Sequence, residues 1–194
     1  IIGSKYMETG PLLITHWGIS GPAVLKLSAW GAFYLSELDY HFQISINCLG
    51  GQSDEDIKTY LLDIQSSHTT ALISNKKPSE IPSRLWHYFL EKSEISVEKK
   101  WSELSKKELH KLIHTLAQST YSIRGKTTFK EEFVTAGGIS TEALQTSTME
   151  SKQYPNLYVI GELTNIDGIT GGFNFQNAWT SAIVCAENIA RKMN

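Results

Sequence analysis

The residues of this chain best arranged for chemistry lie in the run 159–179, VIGELTNIDGITGGFNFQNAW. An apolar, strand-like stretch ends there on an acid, Glu162, and a glycine-rich loop then leads into a helical pattern. In open α/β sheets ligands bind beyond the carboxyl ends of the strands, where Glu162 would accept hydrogen bonds from ligand hydroxyls. Gly171 and Gly172 have no side chains to keep a flat ligand away from the backbone. The helix that follows would aim free N–H groups and the positive end of its dipole at an anion. The same spacing also describes an ordinary glycine-rich turn between a strand and a helix, so spacing alone leaves both readings open.

A second group, Thr15-His16-Trp17-Gly18-Ile19-Ser20-Gly21-Pro22, sets a histidine and a hydroxyl near a helix start. It is not a nucleophile elbow: G-x-S-x-G needs one residue between the serine and the second glycine, and Gly21 follows Ser20 directly. Ser20 as a helix N-cap and His16 as a hydrogen-bonded strand residue is the expected arrangement, with a substrate contact by either as the alternative. His110 and His114 have the i, i+4 spacing of helical metal ligands. The segment HKLIH lacks the glutamate of H-E-x-x-H, however, and no metal is expected. Cys48 and Cys185 lie far apart in apolar runs and read as buried free thiols.

These groups need a scaffold, and 194 residues with 41% hydrophobic and 20% charged side chains can build one. Lys and Arg number 18 against 20 Asp and Glu, so no general field draws the chain to nucleic acid or to an anionic membrane, and nucleic acid is not an expected partner. No stretch reaches the roughly 18 uninterrupted apolar residues of a membrane span, and the first residues lack the order of a signal peptide. A cytoplasmic location and no membrane contact are expected. The chain opens at Ile1 on an apolar segment without a start signal, which reads as a fragment of a longer protein.

The patterning predicts a short buried strand at 12–16 and an all-round apolar helix from 20 to about 36, buried between layers. A half-buried strand of period two follows at 41–47. From 53 to 119 charge is dense, and apolar residues recur at helical spacing. Helices are predicted over about 54–66, 82–92 and 105–118, the first and last capped by Ser53 and Ser105. In the third, Leu109, Leu112, Ile113 and Leu116 form a core-facing stripe. Strands are then predicted at 127–129 and 132–136, and a third at 157–160, whose continuous apolar run suits a sheet covered on both faces. A final helix runs from about 174 to 192. Lysines 99, 100, 106 and 107 interleave with glutamates 98, 103 and 108 as a solvated face.

Three stretches, GPLLITHWGISGPAVLKLSAW at 10–30, FVTAGGIS at 133–140 and TMESKQYPNLYVIGELTNIDGITGGFNFQNAWTSA at 148–182, resemble the BaiN and aminoacetone-oxidase-like (YhiN-type) family of FAD-dependent oxidoreductases. The resemblance implies a mixed α/β chain: an incomplete, Rossmann-like FAD-binding domain together with a mainly helical insert subdomain. Residues 1–52 would be the remainder of an inserted β-rich domain, 53–120 the helical insert, and 121–194 the returning C-terminal segment of the FAD-binding domain. Gly161, Glu162, Asp167, Gly168, Gly171, Gly172 and Asn174 match family positions and are implied flavin contacts. The helix start from Gly172 to Gln176 would stabilise negative charge at the pyrimidine edge of the ring, and Glu162 would position the ribityl chain.

One departure matters more than any match. The family's FAD domain opens with G-x-G-x-x-G, whose backbone holds the pyrophosphate, and no glycines here have that spacing. FAD is therefore implied for the full-length protein, none is expected on this chain alone, and the missing partner is an N-terminal FAD-binding half. A smaller departure is Thr164-Asn165, where an acid often stands in the family. The resemblance allows an amine-type oxidase, a reductase of activated double bonds in cyclic substrates, or a flavoprotein acting on RNA. The expectation taken forward is a small-molecule oxidoreductase, with NAD(P)H as one candidate source of electrons, and inactive as this chain alone. A helical binding module without catalysis is the alternative.

Overall fold

A computed structural model describes residues 1–126, 134–169 and 171–193. In chain order the elements are β1 (Leu13–Ile14), β2 (Ile19–Ser20), α1 (Pro22–Trp30), α2 (Ala32–Glu37), β3 (His41–Ile46), α3 (Asp54–Ser67), α4 (Ser83–Lys92), α5 (Lys106–Ala117), β4 (Ser119–Arg124), β5 (Leu144–Gln145), β6 (Glu150–Ser151) and α6 (Phe173–Met193). The class is mixed α/β. Among the described residues the strands form two-stranded sheets, β1 with β2, β3 with β4 and β5 with β6. The chain divides into two compact units, Ile1–Ser4 with Phe42–Ile123, and Lys5–His41 with Arg124–Asn194.

The first unit is built by amphipathic helices. Ser53 and Ser105 cap α3 and α5 through reciprocal boxes: Ser53 Oγ accepts the Asp56 N–H, and the Ser105 N–H donates to Glu108 Oε2 at 2.9 Å. Each box satisfies N–H groups that the helix itself leaves without partners. The α5 stripe of Leu109, Leu112, Ile113 and Leu116 is buried as its spacing predicts, against Ile57, Leu61, Ile73, Trp86, Phe89 and Trp101. Both tryptophans are fully buried, and both place their polar edge: Trp86 Nε1 donates to the Ile73 carbonyl at 2.8 Å and Trp101 Nε1 to that of Lys76 at 3.0 Å. Their rings stack with centroids 6.5 Å apart, so large apolar area is buried without an orphaned donor. β3 alternates as expected, with Ile44 inside and His41, Gln43 and Ser45 outside.

Among the described residues the second unit holds less apolar burial, and several expectations are corrected there. The segment 12–16 is not a buried strand: β1 is a two-residue strand, exposed at both positions, in an antiparallel hairpin with β2. The predicted helix from residue 20 is two helices broken at Gly31, and Ser20 does not cap it. Gly21 occupies the cap position, with Pro22 following, and Ser20 pairs instead with Leu13 across the hairpin. Nor are these helices buried within the unit, since Trp30 and Phe33 are each about 60% exposed. The apolar run at 157–160 is not a strand covered on both faces. Only Val159 of the run is buried, and the run is held along β6: Tyr158 bridges Glu150 antiparallel, the Ser151 N–H donates to the Leu157 carbonyl, and the Val159 N–H donates to that of Met149.

The expected strands at 127–129 and 132–133 lie outside the described residues, and 134–136 are not extended into a strand. The second unit's core is small, formed by Leu144, Met149, Val159 and Cys185, with Tyr158 and Val184 packed against it. Helix α6 buries Ser181 and Cys185 and leaves Phe175, Trp179 and Ile183 exposed along one face, the first two rings stacked at 6.2 Å. Lys192 in its last turn pairs with Glu150 Oε2 at 2.6 Å; the bond and the Asn156 N–H hold the Glu150 carboxyl below its usual range. No helix among the described residues is long and apolar enough to cross a membrane.

Candidate functional site

The loop between residue 160 and α6 is held by side chains of α6 itself. A one-turn 3-10 helix, Gly161–Leu163, starts with Gly161 at φ +62°, a left-handed conformation that costs glycine little. Its N–H donates to Ser181 Oγ at 2.9 Å, and its carbonyl accepts from Thr164 Oγ1 at 2.7 Å and from Asn177 Nδ2 at 3.3 Å. Further along, the side chain of Asn174 bonds the backbone of Gly168 twice. The loop thus turns away from residue 160 and is returned to the first turn of α6.

A second strap runs parallel to the loop: Ile139 bridges Thr164, with the Ile139 N–H on the Leu163 carbonyl and the Asn165 N–H on that of Ile139, both at 2.9 Å. Two acids join the straps. Glu162 Oε1 accepts the Thr135 N–H and Asp167 Oδ1 the Gly137 N–H, each at 3.3 Å. Gly138 makes this approach possible. A Cβ there would stand 2.7 Å from the Leu163 carbonyl oxygen and from the Thr164 carbonyl carbon, distances no side chain can occupy.

Between these pieces lies a pocket of about 300 Å³, lined by Val134, Glu162, Ile166, Gly171, Gly172, Asn174, Phe175, Asn177 and Ala178. That is the low end of the about 300–1,000 Å³ typical of ligand sites, enough for part of a large cofactor. A Cβ built on Gly172 meets nothing within 4 Å, so the backbone before α6 faces open space. A flat, partly anionic group fits this wall: glycine backbone and a helix start on one side, apolar Ile166 and Phe175 beside it, and a carboxylate for hydroxyls.

Of the residues singled out in the sequence, Glu162, Gly171, Gly172 and Asn174 line this pocket. Gly161, Asp167 and Gly168 shape it through the bonds above, whereas the Gln176 side chain turns along the helix to Thr180 Oγ1 at 2.9 Å. His16 and Ser20 are not among its lining. His16 sits at the exposed hairpin tip, its ring 6.0 Å from that of Trp17, and the Thr15 N–H donates to the Gly18 carbonyl across that turn. Residues missed in the sequence are Gly138, Asn177 and Ser181. An asparagine and a serine on the otherwise apolar side of a helix that carries Ala178 and Cys185 were the available signal. Among the described residues no three His, Cys, Asp or Glu side chains gather as a metal site requires. Burial pushes the Cys48 thiol up to about 11, against the opposing charge of Lys92, so it stays protonated and unreactive at neutral pH.

Residues 3–134 match a family model described as "HI0933-like protein barrel and H2TH domain". The chain belongs to the HI0933-like family. Helices α3, α4 and α5 fall inside the matched range, and the family is flavoprotein-related, which accords with the resemblance at the level of family. Among HI0933-like relatives, a protein of Escherichia coli (strain K12) named "Ribosomal RNA dihydrouridine synthase" is 34% identical over 190 residues, covering 96% of this chain and 44% of its own length. One of the same name from Haemophilus influenzae is 32% identical over 187 residues, covering 93% and 42%. A "3-dehydro-bile acid delta(4,6)-reductase" of Clostridium scindens is 28% identical over 188 residues, covering 95% and 45%. The chain thus spans somewhat under half the length of these relatives. The two relatives named for ribosomal RNA overturn the expectation of an oxidoreductase acting on a small molecule, and they favour the non-catalytic binding module no better.

Proposed function

We propose that this HI0933-like chain is part of an FAD-dependent reductase that converts uridine to dihydrouridine in ribosomal RNA. The observation that carries the reading is the 34% identity to the Escherichia coli ribosomal RNA dihydrouridine synthase over 190 residues, a span that includes the pocket. The bile-acid relative supports the chemistry class. Uracil's C5=C6 bond is conjugated to a carbonyl, as is a bond reduced in a steroid enone, so one hydride and one proton added across an activated double bond describe both names.

Bound FAD would supply the hydride, with a reduced nicotinamide nucleotide as the source of electrons. The chain's own residues bind and orient. Gly171 and Gly172 would leave the backbone open to a flat ring, and the first turn of α6 would stabilise negative charge on it. Glu162 would accept a cofactor hydroxyl on its carboxylate while Oε1 keeps the Thr135 N–H. Ile166 and Phe175 would line the site's apolar side. The exposed stripe of Phe175, Trp179 and Ile183, and the exposed Trp30 and Phe33, support a further, Rossmann-like FAD-binding part of the protein packing on this unit, because apolar patches of that kind are rarely left to water. Binding to RNA departs from what the balanced net charge led us to expect, and it requires a local surface rather than a global field. His16 and Ser20, at the exposed hairpin, are the candidate contacts to the RNA substrate.

The test uses the purified full-length protein with FAD, NADPH and ribosomal RNA lacking the modification. Formation of dihydrouridine, read by mass spectrometry of nucleosides, is expected. NADPH oxidation that never transfers hydrogen to RNA would overturn the reading.

A further inference from the structure

Both backbone polar groups of Gly161 are held by side chains of α6. Ser181 Oγ accepts the Gly161 N–H at 2.9 Å and donates back to the Asn177 carbonyl at 2.7 Å. A serine within a helix commonly makes that backward bond; here the same oxygen also serves a residue 20 positions away. Asn177 Nδ2 reaches the Gly161 carbonyl and Thr164 Oγ1, each at 3.3 Å, and Thr164 Oγ1 donates to the Gly161 carbonyl. Ser181 and Thr164 are buried and Gly161 and Asn177 half-buried, so the bonds are partly shielded from competing water. The residue after Gly161 is Glu162, and Asn177 itself lines the pocket.

We infer that Asn177 and Ser181 are positioning residues of the cofactor pocket. They lock Gly161 in its left-handed turn and so register the wall carrying Glu162 against the helix that carries Asn174 and Phe175. This rests on reading the pocket as the flavin site. Removing the Ser181 hydroxyl would leave the half-buried Gly161 N–H without its acceptor, and the turn would relax by flipping that peptide, which moves Glu162 off the pocket. Removing the Asn177 amide would release the carbonyl side of the same peptide.

The test is made on the full-length protein carrying Ser181→Ala, Ser181→Thr or Asn177→Ala. Three quantities are measured: FAD affinity by titration of the apoprotein, thermal unfolding of the apoprotein, and the midpoint potential of the flavin at saturation. Ser181→Ala and Asn177→Ala are expected to weaken FAD roughly tenfold or more and to shift the midpoint potential, while Ser181→Thr, which keeps the hydroxyl, restores both. A merely structural role would lower the unfolding temperature and leave the potential of the saturated protein unchanged. Should Ser181→Ala fail to fold, Asn177→Ala supplies the same readings with one bond fewer removed. Wild-type affinity and potential in both variants, or loss that Ser181→Thr does not restore, would overturn the inference while leaving the flavin site intact. Full-length wild-type protein that takes up no flavin would instead overturn the reading of the pocket, and this inference with it.

Discussion

Asn174 and Gly168 exchange two hydrogen bonds: the Gly168 N–H donates to Asn174 Oδ1 at 2.7 Å, and Asn174 Nδ2 donates to the Gly168 carbonyl at 3.1 Å. The amide therefore copies the edge of a peptide and closes the glycine-rich loop onto the first turn of α6. A side chain that sequence resemblance assigns to the flavin spends both polar atoms on the protein. Asn174→Leu in the full-length protein is expected to weaken FAD by at least tenfold, on the order of 1–3 kcal/mol for two lost bonds, and Asn174→Asp by less, since it keeps the acceptor. Fluorescence titration checks the order, and equal losses in the two variants would contradict it.

Gly138 and Gly172 are both glycines at positive φ, +143° and +96°, yet substitution should separate them. A Cβ at Gly138 collides with the backbone of Leu163 and Thr164, whereas one at Gly172 meets open space and costs only the strained backbone, about 1–2 kcal/mol. Gly138→Ala is expected to lower the melting temperature of this chain far more than Gly172→Ala. Gly172→Trp in the full-length protein is expected to fold yet lose flavin, because its side chain would fill the pocket.

Glu108 carries the clearest pH signal. Its bond to Lys99 at 2.5 Å, followed by the side chain and N–H of Ser105, lowers its pKa from 4.5 to about 2. A depressed carboxylate stabilises the fold fully above its unfolded pKa, and that stability is lost as pH falls from about 4.5 toward 2. After allowance for solvent screening the contribution is on the order of 1 kcal/mol. The gap between the urea midpoints of wild type and Glu108→Gln should be smaller at pH 3 than at pH 6. A constant gap would contradict the assignment.

This chain expressed alone is expected to purify colourless, without stoichiometric FAD. It lacks a G-x-G-x-x-G loop to hold the pyrophosphate, and half a site loses preorganisation as well as contacts. One flavin per chain in the visible spectrum would contradict this.

The helices of the first unit were legible in the sequence because their signals are local: Ser53 and Ser105 cap within three residues, and the Leu109 to Leu116 stripe repeats within two turns. Burial in the second unit was not. The apolar runs at 20–36 and 157–160 read as interior, but burial depends on what else is present to cover them, and within this unit Trp30, Phe33 and Leu157 face outward. Ser20 is not the cap because α1 begins at Pro22, which puts Gly21 at the cap position and leaves Ser20 in the hairpin opposite Leu13. The pocket was legible through glycine and acid spacing, since Glu162, Gly171, Gly172 and Asn174 converge there. Its supports Gly138, Asn177 and Ser181 act across 13 to 26 residues and leave no periodic trace.

The most direct measurement compares dihydrouridine in ribosomal RNA from three sources: cells with the intact full-length gene, cells lacking it, and lacking cells complemented with Gly172→Trp. Nucleoside mass spectrometry is expected to find the modified uridine, heavier by two hydrogens, only in the first. Dihydrouridine persisting at the same level without the gene, or fully restored by Gly172→Trp, would contradict the assignment of this pocket to uridine reduction.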